Sequence, residues 1–312
     1  MTTTASPFAT HREIARPGLF VDPFVTADGA SRAAVAQTRL ETLWFNTGTL
    51  CNIACANCYI DSSPTNDALA YLTLADLTAY LDEIANDGLP VREIGFTGGE
   101  PFMNRAMPAM IALAQARGFE ILVVTNVMRP LRRFEAALLA LPRDRLTFRV
   151  SLDHYTAAVH EAERGTGSFA IALDGIAWLA ANGFALAIAG RHLGGESEAQ
   201  AQAGYAALFG ALWLPLPPLV LFPEMDAGAD VPEITAACWG ILDVAPQTMM
   251  CASSRMVVRR RGAEAPAVLA CTLLAYDRQF ELGATLAAAA RPVALNHPHC
   301  ARFCVLGGAS CS

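Results

Sequence analysis

Three cysteines fall within eight residues in the stretch CNIACANCY, which holds Cys51, Cys55 and Cys58. Their spacing is Cys-x3-Cys-x2-Cys. Thiolates this close suit a metal centre, because ionised sulfur is a soft, strong ligand and iron–sulfur clusters are held by cysteines. Cubane clusters usually take four thiolates. Three from one loop would leave one iron without a protein ligand, and a catalytic metal needs such an open position. A zinc site of three cysteines and one histidine competes with this reading. No histidine occurs in the ninety residues after Cys58, so the fourth ligand would have to come from far along the chain.

The chain has nine cysteines, and the remaining six, Cys238, Cys251, Cys271, Cys300, Cys304 and Cys311, all lie in its last quarter. None falls between residues 59 and 237. That gap predicts two separate cysteine-dependent sites on two structural units. A disulfide scaffold belongs to short secreted chains. This chain has 312 residues and a start without an apolar stretch and cleavage site, so a cytoplasmic protein with reduced thiols is expected. No apolar run is long enough to span a bilayer, so no membrane partner is expected. The net charge of −7 and pI of about 5.4 argue against a nucleic-acid partner. The basic run RRRG at 259–262 reads as a solvated turn.

Elements that could position the first cysteines follow from periodicity. TLWFNTG reads as a strand running into Cys51. TLADLTAYLDEIAND (73–87) has apolar residues at helical spacing behind a capping threonine. Strand patterns recur at 91–101, 120–127, 145–153, 184–190 and 217–225. Helical patterns lie between them at 107–118, 133–142, 168–183 and 197–212, and another follows at about 232–244. Six apolar strands alternating with helices predict an α/β fold, a parallel sheet either doubly wound or curled into a barrel. Barrel chemistry collects at the C-terminal ends of the strands. There stand the cysteine loop, Gly98-Gly99-Glu100-Pro101, Asn126, Ser151 and Asp153.

Cys51, Cys55 and Cys58, followed by the GGEP at 98–101, resemble the radical S-adenosylmethionine (SAM) enzymes. The likeness covers roughly 43–225 and implies a partial (β/α)6 TIM-like barrel. It implies a [4Fe–4S] cluster on the three cysteines whose open iron chelates the amino and carboxylate groups of SAM. One electron would then cleave SAM to methionine and a 5′-deoxyadenosyl radical that removes a substrate hydrogen. By the same likeness Gly98 and Gly99 let backbone approach the methionine amine, and Glu100 accepts from that ammonium. Asn126 and Ser151 match contacts to the ribose and carboxylate, and Arg164 matches a carboxylate contact. The family often carries an aromatic residue before the third cysteine, near the adenine. Here that residue is Asn57, and Tyr59 follows Cys58.

Residues 1–42 read as an N-terminal extension, shorter than the recognition domain of many peptide-modifying members. Beyond about residue 226 the βα rhythm stops, and 226–312 reads as a small α+β cysteine-rich domain. The stretch 251–271 reads as a β-hairpin with a cysteine at each end, followed by the pair Cys300 and Cys304. This resembles the twitch or SPASM-like auxiliary-cluster extensions of radical SAM enzymes. It implies a second [4Fe–4S] cluster on Cys251, Cys271, Cys300 and Cys304, with Cys311 able to replace one. A zinc site using His297 or His299 is the alternative there. Cys238 reads as a core thiol. His154, Tyr155 and His192 follow strands and are candidate proton carriers or structural hydrogen-bonders. Glu224 and Asp226 are candidate substrate contacts.

The resemblance implies a SAM-cleaving enzyme acting on a small molecule or peptide, for oxidation or bond formation. Its reductant would be a flavodoxin or ferredoxin. The competing functions are activation of a glycyl-radical enzyme and a non-catalytic iron–sulfur or zinc protein.

Overall fold

The computed structural model describes residues 18–193, 195–222 and 230–308. Cys311, Glu224 and Asp226 lie outside the described residues. A two-residue strand, β1 (Ala34–Val35), precedes six that lie side by side in chain order. These are β2 (Thr42–Asn46), β3 (Glu93–Thr97), β4 (Glu120–Thr125), β5 (Leu146–Ser151), β6 (Ala185–Arg191) and β7 (Leu219–Phe222). Each is parallel to the next. Between them run α1 (Leu74–Asn86), α2 (Met107–Ala116), α3 (Arg129–Arg132), α4 (Glu135–Leu139), α5 (Ala157–Arg164), α6 (Ser168–Ala181) and α7 (Glu198–Ala211).

Local chemistry accounts for the helix starts. The Thr73 hydroxyl accepts from the Asp76 amide, and the Asp76 carboxylate accepts from the Thr73 amide. Ser197 and Gln200 make the same reciprocal cap on α7. Helix α1 buries Leu77, Tyr80, Leu81 and Ile84, one stripe at helical spacing. The apolar strands are covered by such stripes, as parallel sheets require. Register brings Trp44 opposite Gly95. A Cβ at 95 would lie 2.4 Å from the indole, so the large ring in β2 requires glycine in β3.

The expected hairpin forms, but it does not stand apart. Strand β8 (Ser254–Val258) pairs parallel to the free side of β2. β9 (Ala267–Leu269) and β10 (Glu281–Gly283) follow antiparallel, completing a nine-stranded sheet. β11 (Val293–Ala294) pairs with β1. The sheet therefore runs through the boundary expected near residue 226. Among the described residues β7 and β10 remain separate edges, so the barrel is partial. Tyr276 ties the C-terminal segment down by donating to the Ile60 carbonyl at 2.6 Å.

Two local expectations need correction. Only Cys238–Ile241 is helical in the region expected to be helix at 232–244. Residues 234–236 instead pair with the segment before β1, through Ala33 N to Ile234 O and Ala236 N to Ser31 O. Cys238 is half-buried, with its sulfur 3.4 Å from the Thr235 hydroxyl, rather than sealed in the core. The RRRG run is a turn whose arginines pair with Asp76, Glu281 and Asp67. No helix among the described residues is long and apolar enough to cross a membrane.

Candidate functional site

The cysteine loop leaves β2 and is clipped at several points. Cys51 N donates to Ser63 O, and Ala56 N donates to Glu163 O at the end of α5. The Asn57 amide donates to both oxygens of Glu163 at 3.0 Å. Arg191 at the end of β6 donates to Asn57 O at 3.0 Å. Asn57, at the position where an aromatic residue is frequent, thus serves as a strap for the loop.

The GGEP turn is lashed to the same loop. Gly99 N donates to Gly48 O and Glu100 N to Leu50 O. Gly98 has φ +135°, and a Cβ there would lie 2.5 Å from Gly48 O. A Cβ on Gly99 would lie 2.4 Å from Leu50 O. The structural demand for both glycines is therefore the close approach of two backbones.

Cys51, Cys55 and Cys58 share a cavity with Gly98, Gly99 and Asn126. Tyr59, Ser151, Arg164 and Arg191 complete the part that concerns chemistry. Burial pushes the Cys51 thiol up to about 12, with Glu100 and the other two cysteines adding to it. Burial also raises Cys55, while Arg164 opposes it. Cys51 and Cys55 therefore stay protonated by themselves, and metal coordination deprotonates a thiol outright. Among the described residues no three His, Cys, Asp or Glu side chains converge as a single-ion site. A four-iron cluster asks for a wider arrangement, since each cysteine binds a different iron.

Glu100 is 1% exposed and lies beneath the cavity rather than in its wall. Its carboxylate accepts from Phe102 N, Asn126 N and the Thr125 hydroxyl. Burial raises its pKa to about 7, against these hydrogen bonds. In this structure Glu100 fixes the end of β4 through these bonds. Asn126 donates to Asn52 at 3.0 Å and lies 3.8 Å from the Cys51 sulfur. Arg164 grips Asp153 through two bonds of 2.7 and 3.0 Å. Arg191 approaches the same carboxylate at 3.5 Å. The two guanidiniums hold Asp153 below the usual carboxylate range despite its burial. The result is a cationic wall beside Cys55.

A second cavity adjoins the first and shares Tyr59, Thr97, Val124, Ser151, Arg164 and Arg191 with it. Its far wall is Trp44, Leu273 and Phe303. Trp44 is 2% exposed, and its indole N–H has no acceptor. Thr272 and Leu273 follow Cys271 directly, and Phe303 precedes Cys304. The chamber therefore lies between the two cysteine groups.

Cys251 precedes β8, Cys271 follows β9, and Cys300 and Cys304 lie on one turn of π-helix at Cys300–Val305. The four are close enough to act on one another: burial raises the Cys300 thiol, and Cys304, Cys271 and Cys251 raise it further. Burial pushes Cys251 up to about 11. His297 accepts from the His299 amide, and burial alone pushes it down to about 4. Its carbonyl accepts from Cys300 N at 2.9 Å, and its backbone also hydrogen-bonds the Cys300 thiol. His154 is held between Thr156 and Glu196 and stacks on Tyr155. His154, Tyr155 and His192 line neither cavity.

The sequence reading missed Arg191, Glu163 and the buried Arg255. A cation ending an otherwise apolar strand, as in FALAIAGR, was the available signal for Arg191. Nothing local marks the other two.

A profile of the Radical SAM superfamily matches residues 45–201, half of the chain. The mycofactocin maturase MftC of Mycobacterium ulcerans is 33% identical over 135 residues, 43% of this chain and 35% of that protein. The antilisterial bacteriocin subtilosin biosynthesis protein AlbA of Bacillus subtilis is 29% identical over 140 residues, 45% of this chain and 30% of that protein. The chain spans about a third of the length of these curated relatives. The structure of Streptococcus suis SuiB bound to the precursor peptide SuiA superposes with a TM-score of 0.57 at 10% identity, covering 80% of this chain and 63% of that one. The structure of anSMEcpe with bound AdoMet gives 0.54 at 12% identity, covering 80% and 79%. At such identities the likeness is one of fold, a partial α/β barrel. By its matched residues, its cysteine loop and this architecture, the chain belongs to the Radical SAM superfamily.

Proposed function

We propose that this chain is a SAM-cleaving radical enzyme that removes a hydrogen from an apolar part of a peptide. The observation that carries the reading is the shared cavity of Cys51, Cys55 and Cys58 with Gly98, Gly99, Asn126 and Arg164. The three thiols would hold a [4Fe–4S] cluster, and the rest of that cavity would hold SAM. When bound, the reduced cluster supplies the electron that cleaves SAM and so the radical that attacks substrate. The chain's own residues orient and shield. Arg164 and Arg191 offset negative charge beside Cys55. Asp153 holds Arg164 in place. Trp44, Leu273 and Phe303 keep water from the adjoining chamber, where the substrate would sit.

A peptide substrate is supported by relatives named for maturation and bacteriocin biosynthesis, and by SuiB with its precursor peptide. The apolar chamber is equally open to a small molecule of that character. We read 43–225 as the catalytic barrel and 226–312 as an auxiliary unit. In it Cys251, Cys271, Cys300 and Cys304 hold a second [4Fe–4S] cluster. The mutual effect of these four thiols supports that reading. A flavodoxin or ferredoxin would supply electrons.

The test is anaerobic reconstitution with iron and sulfide, reduction with dithionite, and assay of 5′-deoxyadenosine released from SAM. Release by wild type and none by Cys51/Cys55/Cys58→Ala is expected. An iron-loaded, reduced wild type that leaves SAM intact would sink the reading in favour of an electron carrier.

A further inference from the structure

Most buried arginines in this fold face carboxylates. Arg32 meets Glu233, Arg164 meets Asp153, and Arg191 meets Asp153 and Glu163. Arg255 is the exception. It is fully buried, and every hydrogen bond it makes goes to a main-chain carbonyl. Nε donates to Ala289 at 3.0 Å, Nη1 to Cys251 at 2.5 Å and Ser254 at 2.7 Å, and Nη2 to Arg291 at 3.2 Å. The titratable groups acting on its charge are Cys251 and Cys271.

A buried cation held by neutral dipoles alone is costly. Protonated thiols supply no balancing charge. Metal-bound thiolates do, because coordination removes their protons. A cubane on four thiolates also carries net negative charge and gains more on reduction, so a fixed cation beside it favours both assembly and the reduced state. Arg255 lies four residues after Cys251, at the start of β8, and so cannot move away from the thiols without breaking that strand.

We propose that Arg255 is the counter-charge of the metal centre on Cys251, Cys271, Cys300 and Cys304, a positioning residue that sets its retention and reduction potential. The inference rests on the auxiliary-cluster reading above. The competing role is a neutral one, in which the guanidinium merely straps the turn at 251–254 to the segment at 289–291.

Two variants separate the roles. Arg255→Lys keeps the charge and loses the fork; Arg255→Gln keeps donors and loses the charge. Both are made in the full chain carrying Cys51/Cys55/Cys58→Ala, so that iron binds only at the C-terminal thiols. Readouts are iron retained under chelator challenge, midpoint potential by EPR-monitored titration, and the melting temperature of metal-free protein. The Gln variant is expected to lose iron at least tenfold faster and to shift the potential negative by about 59 mV or more, a tenfold change in a one-electron equilibrium. The Lys variant should stay within a few-fold of its parent. Iron retention and potential unchanged in the Gln variant, with iron bound, would overturn the inference and leave the cluster reading standing. So would equal losses of metal-free stability and iron in both variants, the mark of a strap. Absence of iron from the parent would remove the cluster reading and the inference with it.

Discussion

The two cysteine groups are built in opposite ways. The first comes from one loop, with its ligands three and four positions apart, and is surrounded by paired charge: Glu163, Asp153, Arg164 and Arg191. The second is gathered from three segments up to 53 positions apart in sequence and lies beside Arg255, whose side chain bonds to main-chain carbonyls. A loop with local ligands can be clipped as a unit and still leave one side open to a cavity. Ligands on separate elements need the sheet itself to assemble them. The first group is thus suited to exchange a ligand, and the second to hold something permanently.

The largest effect should come from removing ligands one group at a time. Cys51/Cys55/Cys58→Ala should abolish SAM cleavage and lose about half of the bound iron. Cys251/Cys300→Ala should lose the other half and leave reductive SAM cleavage without substrate largely intact. Iron counting and 5′-deoxyadenosine assay check both. Loss of all iron from either variant would break the comparison, because the sites would not then be independent.

Next in size is the charge network. Asp153→Asn leaves the buried Arg164 and Arg191 facing a neutral amide. Breaking a buried pair in this way costs about 3–5 kcal/mol. Asp67→Asn, which frees the exposed Arg261, should cost under about 1 kcal/mol. Urea unfolding of the metal-free variants compares them directly. Equal small losses would mean that the cationic wall is held by the fold and not by Asp153.

How much of this was legible follows from the same contrast. The cysteine loop, the GGEP turn and the βα succession are each contained in a short window, where spacing and periodicity speak directly. Arg164 was legible as a matched motif, but its grip on Asp153 depends on β5 and α5 meeting. The hydrogen bonds of Glu100 to Phe102, Thr125 and Asn126 were not legible, because they depend on how the turn packs against the end of β4. The 234–236 segment carries helical residues, yet pairing with residues 31–33 claims its backbone. Arg255 lies in an ordinary strand run, and its burial follows from the docking of β8 on β2.

Glu100 offers a subtler test, on the carboxylate beneath the first site. Its pKa rises from an ordinary 4.5 to about 7 on folding. Between those values the folded state keeps a proton that the unfolded state has released. Stability is therefore greatest below pH 4.5 from this group, falls as pH rises through the window, and is flat above about 7. The full fall is on the order of 3–3.5 kcal/mol. Glu100→Gln should be less stable, having lost an acceptor, but flatter between pH 5 and 7. Urea midpoints across that range measure the slope. An equal slope in both proteins would assign the pH dependence elsewhere.

The smallest effect concerns the chamber between the groups. A buried indole N–H without an acceptor costs stability, since tryptophan ordinarily finds a partner when buried. Trp44→Phe keeps an aromatic ring against Gly95 and removes the donor. If substrate supplies the missing acceptor, the variant should fold at least as well as wild type, apart from a small cavity cost of about 1 kcal/mol. SAM cleavage without substrate should be unchanged, while substrate KM rises by about five- to tenfold, the worth of one hydrogen bond. An unchanged KM would mean that the N–H serves neither fold nor substrate. The chamber would then recognise its ligand by shape and by the cationic wall alone, and the two sites would communicate through an apolar space.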